Sequence, residues 1–302
     1  MIETIRHRLP HGIELSCRVS GAPGRPVLLF LHGFPEAAFA WDELLTHFAQ
    51  TEHGGYRCVA PNLRGFADSS SPAEVAAYRA KHLVQDVLSL IDAESGPAPV
   101  AALVAHDWGG AVAWNLANLQ PERLSRLVIL NSPHPGLFWR ELRDNPKQQA
   151  ASAYMNFLIR PDAEVLLSQN DFQKMWSFAF EDISASHPSG WLDEALRQRY
   201  REVWSQGLTG GLNYYRASPL RPATPLDPAV NGVELPAAMW RIEVPTCVLW
   251  GLRDRALLPC LMDGLTQHVP RLEVHTYAQA SHWIVHEEPG WVAGHIARFL
   301  QP

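Results

Sequence analysis

Short apolar runs that end on turn residues recur along this chain: Val27 to Leu31, Arg57 to Ala60, Val100 to Ala105, Leu127 to Leu130, Val244 to Trp250 and Arg271 to Thr276. Runs of this length, almost wholly apolar, are expected of parallel strands buried on both faces. Between them lie segments with helical spacing, at Lys81 to Glu94, Trp108 to Leu119, Pro259 to Gln267 and Pro289 to Leu300. Strand alternating with helix predicts an α/β fold with a doubly wound, mostly parallel sheet.

The rhythm stops after Asn131 and resumes near Val244. The stretch between is rich in Trp, Tyr, Phe and Gln and has no apolar strand runs, which predicts a helical insertion. Prolines 219, 222, 225, 228 and 236 then predict an ordered but irregular return. The expected organisation is a core over 1–134, an insertion over 135–221, and a return segment with the rest of the core over 222–302. An aromatic insertion above a strand-end site would act as a lid.

Composition narrows the function. The chain has 302 residues, 47 % hydrophobic and 19 % charged, with a formal net charge of -6. No basic field is available to hold phosphates, so small-molecule chemistry is favoured over nucleic acid. Met1 to Leu9 alternates polar and apolar residues, and no run approaches the roughly 20 apolar residues of a membrane helix, so a cytoplasmic protein is expected. Cys17, Cys58, Cys247 and Cys260 lie far apart, without zinc or disulfide spacing, and Cys58 and Cys247 are expected to be buried thiols.

The strongest chemical signal is VAALVAHDWGG, Val100 to Gly110, where an apolar strand runs through small-x-nucleophile-x-Gly into a helix. That is the pattern of a nucleophile elbow, a strained turn that projects one side chain above the sheet and needs small neighbours. Asp107 occupies the projecting position, and Ala105 stands where Gly is commoner. An aspartate there also suits a helix N-cap. A carboxylate nucleophile attacks an sp3 carbon and leaves an ester that water must hydrolyse, which calls for a base. His282, in AQASHWIVHEEP, titrates in the right range, and Asp254, in VLWGLRD, would orient it.

His282 and His286 have the i, i+4 spacing of a metal pair, but no H-E-x-x-H pattern and no third ligand accompanies them. No metal or cofactor is expected. His32 and His106 are expected to tie loops together. In LLFLHGFPE, Leu28 to Glu36, Gly33 is expected to permit an unusual backbone angle and Pro35 to fix the turn.

The order nucleophile, acid, base resembles that of the α/β-hydrolase fold. In that fold the backbone N–H groups matching Phe34 and Trp108 form the oxyanion hole. More narrowly, HGFP at His32 to Pro35, RGFADS at Arg64 to Ser69, HDWGG at His106 to Gly110, GLRD at Gly251 to Asp254 and SHW at Ser281 to Trp283 resemble the epoxide hydrolases, over nearly the whole chain. Haloalkane dehalogenases share HDWGG, so these motifs leave the leaving group open.

The insertion bears on that choice. Soluble-type epoxide hydrolases hold the epoxide oxygen with two lid tyrosines, one within an Asn-aromatic-Tyr-Arg segment. Asn213-Tyr214-Tyr215-Arg216 matches it, and Tyr154 in SAYMNFL resembles the other. Phenols of pKa about 10 can donate a hydrogen bond or proton to an opening alkoxide. The resemblance thus implies that Asp107, His282, Asp254, Tyr154 and Tyr215 carry the reaction. Phe34, Trp108, Phe157 and Trp283 are expected to line an apolar substrate pocket, although core packing explains each singly.

Two rivals accompany this reading. A dehalogenase with the same triad would aim insertion indoles such as Trp139 or Trp176 at Asp107. A silent hydrolase fold could instead serve as a ligand receptor. The expected partners are a small-molecule substrate and water, with no nucleic acid and no membrane.

Overall fold

The computed structural model describes residues 1–184 and 190–301, with side chains described outside 181–189. Eight strands form one sheet in the order β1-β2-β4-β3-β5-β6-β7-β8. They are β1 Glu3–Arg8, β2 Glu14–Ser20, β3 Val27–Leu31, β4 Arg57–Pro61, β5 Ala102–His106, β6 Leu127–Leu130, β7 Thr246–Gly251 and β8 Leu272–Tyr277. From β3 to β8 all pairings are parallel, while β1 and β2 join antiparallel at one edge.

The six parallel strands coincide with the six apolar runs to within two residues. Every residue of β3, β5, β6 and β7 is buried, because both sheet faces are covered. Alternation distributes the side chains: Leu28 and Phe30 pack with α1 (Asp42–Phe48) and α11 (Pro289–Leu300), while Leu29 and Leu31 face α2 (Ala80–Ser95) and α3 (Asp107–Leu119). Strands β1 and β2 did not stand out in the sequence, since their polar edge positions interrupt any apolar run. In Pro259 to Gln267 the expected helix is instead two 3-10 turns, Pro259–Met262 and Leu265–Gln267. Gly264 between them has φ +85, and an α-helix cannot pass through a left-handed residue.

Between β6 and β7 the chain leaves the sheet. Helices α4 (Pro135–Asp144), α5 (Pro146–Ala151), α6 (Tyr154–Leu158), α7 (Ala163–Ser184), α8 (Glu194–Ser205) and α9 (Thr209–Ala217) follow, then a return whose only helical turns are Ala229–Gly232 and Ala237–Met239. Helix α7 is broken at Gln169–Phe172, where Asn170, Asp171 and Phe172 take positive φ. A short helix, α10 (Ile284–Glu287), precedes α11. Among the described residues, no helix is long and apolar enough to cross a membrane.

Candidate active site

The carboxyl ends of the parallel strands bring the candidate residues together. Asp107 follows β5 with φ +49, a left-handed conformation costing on the order of 1–3 kcal/mol that persists only when its surroundings enforce it. What enforces it is close packing. A Cβ on Gly109 would lie 2.4 Å from the carbonyl oxygen of Leu31, and one on Gly33 would lie 2.2 Å from Asp107 Oδ1. Gly33 is therefore needed for space, since its φ lies outside the left-handed range. The gap it leaves lets the Phe34 N–H donate to Asp107 Oδ1 at 2.8 Å. Ser132 Oγ donates to the Asp107 carbonyl at 2.7 Å and secures the turn from β6.

His282 stands on the loop after β8. Its Nε2 lies 3.7 Å from Asp107 Oδ2, in ionic contact but beyond a hydrogen bond. Its Nδ1 lies 2.7 Å from Asp254 Oδ2. Asp254, on the loop after β7, is buried and fully satisfied: Ala256 and Leu257 N–H donate to Oδ1, both at 2.9 Å, and Asn131 Nδ2 donates to Oδ2 at 2.7 Å. Burial would raise its carboxyl, but the His282 charge and these donors outweigh burial and hold it below the usual carboxylate range. For His282 burial disfavours the charged ring, yet Asp254, Asp107 and Glu36 outweigh it and lift the imidazole to about 9.

Above the strand ends the insertion supplies Tyr154 from α6 and Tyr215 from α9. Tyr215 is buried edge-on against Phe34 and Trp108, with ring centroids 5.5 and 5.0 Å apart, and Tyr154 lies 6.2 Å from it. Burial pushes both phenols above their ordinary range and the Asp107 charge pushes them further, so both remain protonated donors. Tyr214 turns away to donate to the Arg64 carbonyl at 2.9 Å.

Two cavities meet at Asp107, Tyr154 and Tyr215. One, of about 270 Å³, is apolar and includes Trp108, Phe138 and Met155 in its wall. The other, of about 260 Å³, holds His282 and Asp254 together with Phe34, Phe180 and Trp283. Phe34, Trp108 and Trp283 line these cavities, and Phe157 does not. In the single turn of α6, Met155 and Leu158 are the buried residues. Phe157 falls on the outer side, beneath the cations of Lys174 and Arg160, 4.8 and 5.7 Å from its ring centroid.

The other candidates have structural partners. His32 Nε2 accepts from the Leu63 N–H at 3.0 Å, and His106 Nε2 bonds the His282 carbonyl at 2.8 Å, so both tie loops together. His286 Nε2 lies 2.6 Å from Glu36 rather than sharing a site with His282. The Trp139 and Trp176 indoles donate to the carbonyls of Val233 and Asp171, not toward Asp107. Cys58 and Cys247 are buried. Among the described residues, the group close enough to share a metal ion, Cys247, Glu273 and His275, lies on the β7–β8 edge and contains none of Asp107, Asp254 and His282. Sequence reasoning missed Asn131, which accepts from the Gly251 N–H at 2.9 Å while holding Asp254, and Glu36. Asn131 is a polar residue just beyond an apolar strand, the signal that did single out Asp107.

Comparison with known proteins agrees. Residues 26–289 match the family model for the alpha/beta hydrolase fold. An AB hydrolase superfamily protein, YfhM, of Bacillus subtilis is 33 % identical over 96 % of each chain. Epoxide hydrolase 4 of the mouse is 30 % identical over 96 % of this chain and 77 % of its own. The crystal structure of Bacillus megaterium epoxide hydrolase in complex with an inhibitor superposes with a TM-score of 0.87 at 29 % identity, over 98 % of this chain and 99 % of the other. The chain is a hydrolase and belongs to the α/β-hydrolase fold family, alongside members named epoxide hydrolases.

Proposed function

We propose that the protein is an epoxide hydrolase that converts an apolar epoxide to a vicinal diol through an ester on Asp107. The observation that carries this reading is the cleft itself, in which a carboxylate whose Oδ2 is in ionic contact with His282 faces two protonated phenols across an apolar cavity. Tyr154 and Tyr215 hydrogen-bond the epoxide oxygen, and Asp107 attacks a ring carbon from the opposite side. The C–O bond breaks, the alkoxide takes a proton from a phenol, which regains one from water, and the alkyl group stays on Asp107. Phe34 N–H, with that of Trp108, then stabilises the oxygen charge that develops as water attacks the ester carbonyl.

The first step prepares the second. Asp107 is among the charges that lift His282 to about 9, and esterification removes it. The imidazole therefore loses basicity and sheds its proton more readily, as a general base for water must near neutral pH. Asp254 stabilises the imidazolium that forms. Side chains and water suffice for each step. The 135–221 insertion is the lid of this cleft, the flanking segments are the core, and the expected setting is the cytoplasm. A halide leaving group would want indole N–H donors converging on it, whereas Trp139 and Trp176 are committed elsewhere.

The test is the intact mass of a His282→Gln variant incubated separately with styrene oxide and with 1-bromobutane. An adduct of the whole epoxide mass on Asp107 is expected. An alkyl adduct with bromide release, and none from the epoxide, would make the protein a dehalogenase. No adduct from either would support a ligand receptor.

A further inference from the structure

Helix α8 grips the loop that carries the Phe34 N–H. Tyr200 and Trp204, one turn apart on α8, donate to Glu36 Oε1 at 2.9 Å and to the Pro35 carbonyl at 2.8 Å. Both side chains are buried, and so is Glu36, at 1 % exposure. Nothing in the cleft chemistry requires these bonds, yet they end on the two residues that follow Phe34.

Glu36 extends the connection. Its Oε1 also lies 2.6 Å from His286 Nε2 on α10, and its Oε2 faces His106 Nδ1 at 3.2 Å. His106 Nε2 in turn meets the His282 carbonyl. The buried carboxylate thus bonds Tyr200 from the insertion and His286 from α10 and lies in ionic contact with His106 from the nucleophile strand, with His32 and His282 nearby. Burial would raise Glu36, but His286 and His106 outweigh it and keep it ionised. A further strut is Trp283, beside His282, whose indole donates to the Ala179 carbonyl of α7 at 3.1 Å.

We propose that α8 is a positioning element of the reaction, in which Tyr200 and Trp204 hold the Phe34–Glu36 turn and, through Glu36 and His106, the backbone that carries His282. The insertion thereby supports ester hydrolysis as well as ring opening. This inference rests on the ester mechanism proposed above. Tyr200 and Trp204 touch neither substrate nor reacting atoms, so their effect falls on the step that uses the oxyanion donor and the base.

Single-turnover kinetics with styrene oxide, resolving ester formation from ester hydrolysis on the full chain, test it. Tyr200→Phe removes only the hydroxyl and Trp204→Phe removes the indole N–H while keeping an aromatic ring at the site, and each is expected to slow hydrolysis about 10-fold while formation changes about 2-fold or less. Glu36→Gln removes one of the charges that lift His282, so the pH above which hydrolysis becomes fast is expected to fall. A merely structural role would not move that pH. Equal slowing of both steps in parallel with a lower Tm, or an unchanged ratio of the two rates and an unmoved pH limb, would overturn the proposal while leaving the ester mechanism intact. Failure of His282→Gln to accumulate any ester on Asp107 would overturn both.

Discussion

The two sides of the cleft are built differently. Below it, Asp107, Asp254 and His282 stand on strand ends, and main-chain groups fix them: Phe34 N–H on Asp107, Ala256 and Leu257 N–H on Asp254, and the His282 carbonyl held by His106. Above it, Tyr154 and Tyr215 stand on helices of five and nine residues, and the edges of Phe34, Trp108 and Phe178 orient them. Hydrogen-bonded backbone specifies position to a few tenths of an ångström, whereas aromatic edges tolerate sliding. The lower side suits displacement at a fixed carbon. The upper side suits a substrate oxygen whose place varies with its substituents.

The largest effects are expected from breaking the lower side. Asp107→Ala should reduce diol formation on the order of 10⁴-fold or more while the fold, read by circular dichroism, persists. Normal turnover by that variant would refute the covalent mechanism. On the upper side Tyr215→Phe should slow ring opening roughly 10²-fold and leave ester hydrolysis nearly unchanged, because Tyr154 remains and in the proposed mechanism the phenols act on the epoxide oxygen alone. Pre-steady-state measurement of the two steps separates these outcomes, and equal slowing of both would show that the two sides are not independent.

Asn131→Ala tests whether the lower side depends on its neighbours. It removes a donor from Asp254 and leaves the Gly251 N–H without its acceptor, and it places alanine at φ +37. A loss of about 2–4 kcal/mol in denaturant unfolding is expected, together with roughly 10-fold slower ester hydrolysis. Unchanged stability would mean that water replaces the amide.

The same contrast explains how much could be read from the sequence. Buried parallel strands announce themselves as apolar runs, and the residue just past each run is displayed at the carboxyl edge. Asp107 was legible for that reason, Asp254 and His282 because they lie on the loops that follow such runs, and Asn131 could have been. The antiparallel edge, β1 and β2, was not legible, because exposed residues such as Glu3 and Arg8 break the runs. In the insertion, periodicity told of helices but not of which face meets the cleft. Tyr154 and Tyr215 were found through resemblance alone, and Phe157, three residues from Tyr154, was placed on the wrong side. Glu36 was invisible as a hub because its partners, His106, Tyr200 and His286, come from three separate parts of the chain.

Phe157 gives the smallest expected effect and the sharpest test of the boundary between cleft and surface. Its ring is sandwiched by exposed cations, where a cation–π contact contributes about 0.5–1 kcal/mol. Phe157→Ala should therefore cost on the order of 1 kcal/mol of stability and leave kcat/KM for styrene oxide within about 2-fold. Trp108→Ala, which opens the apolar cavity and removes an edge that orients Tyr215, should raise KM and slow ring opening together. A selective rise in KM for Phe157→Ala would mean that α6 rotates when substrate binds and carries that ring into the cleft. Tyr154, on the same turn, would then be brought to the epoxide by the substrate itself rather than waiting for it in place.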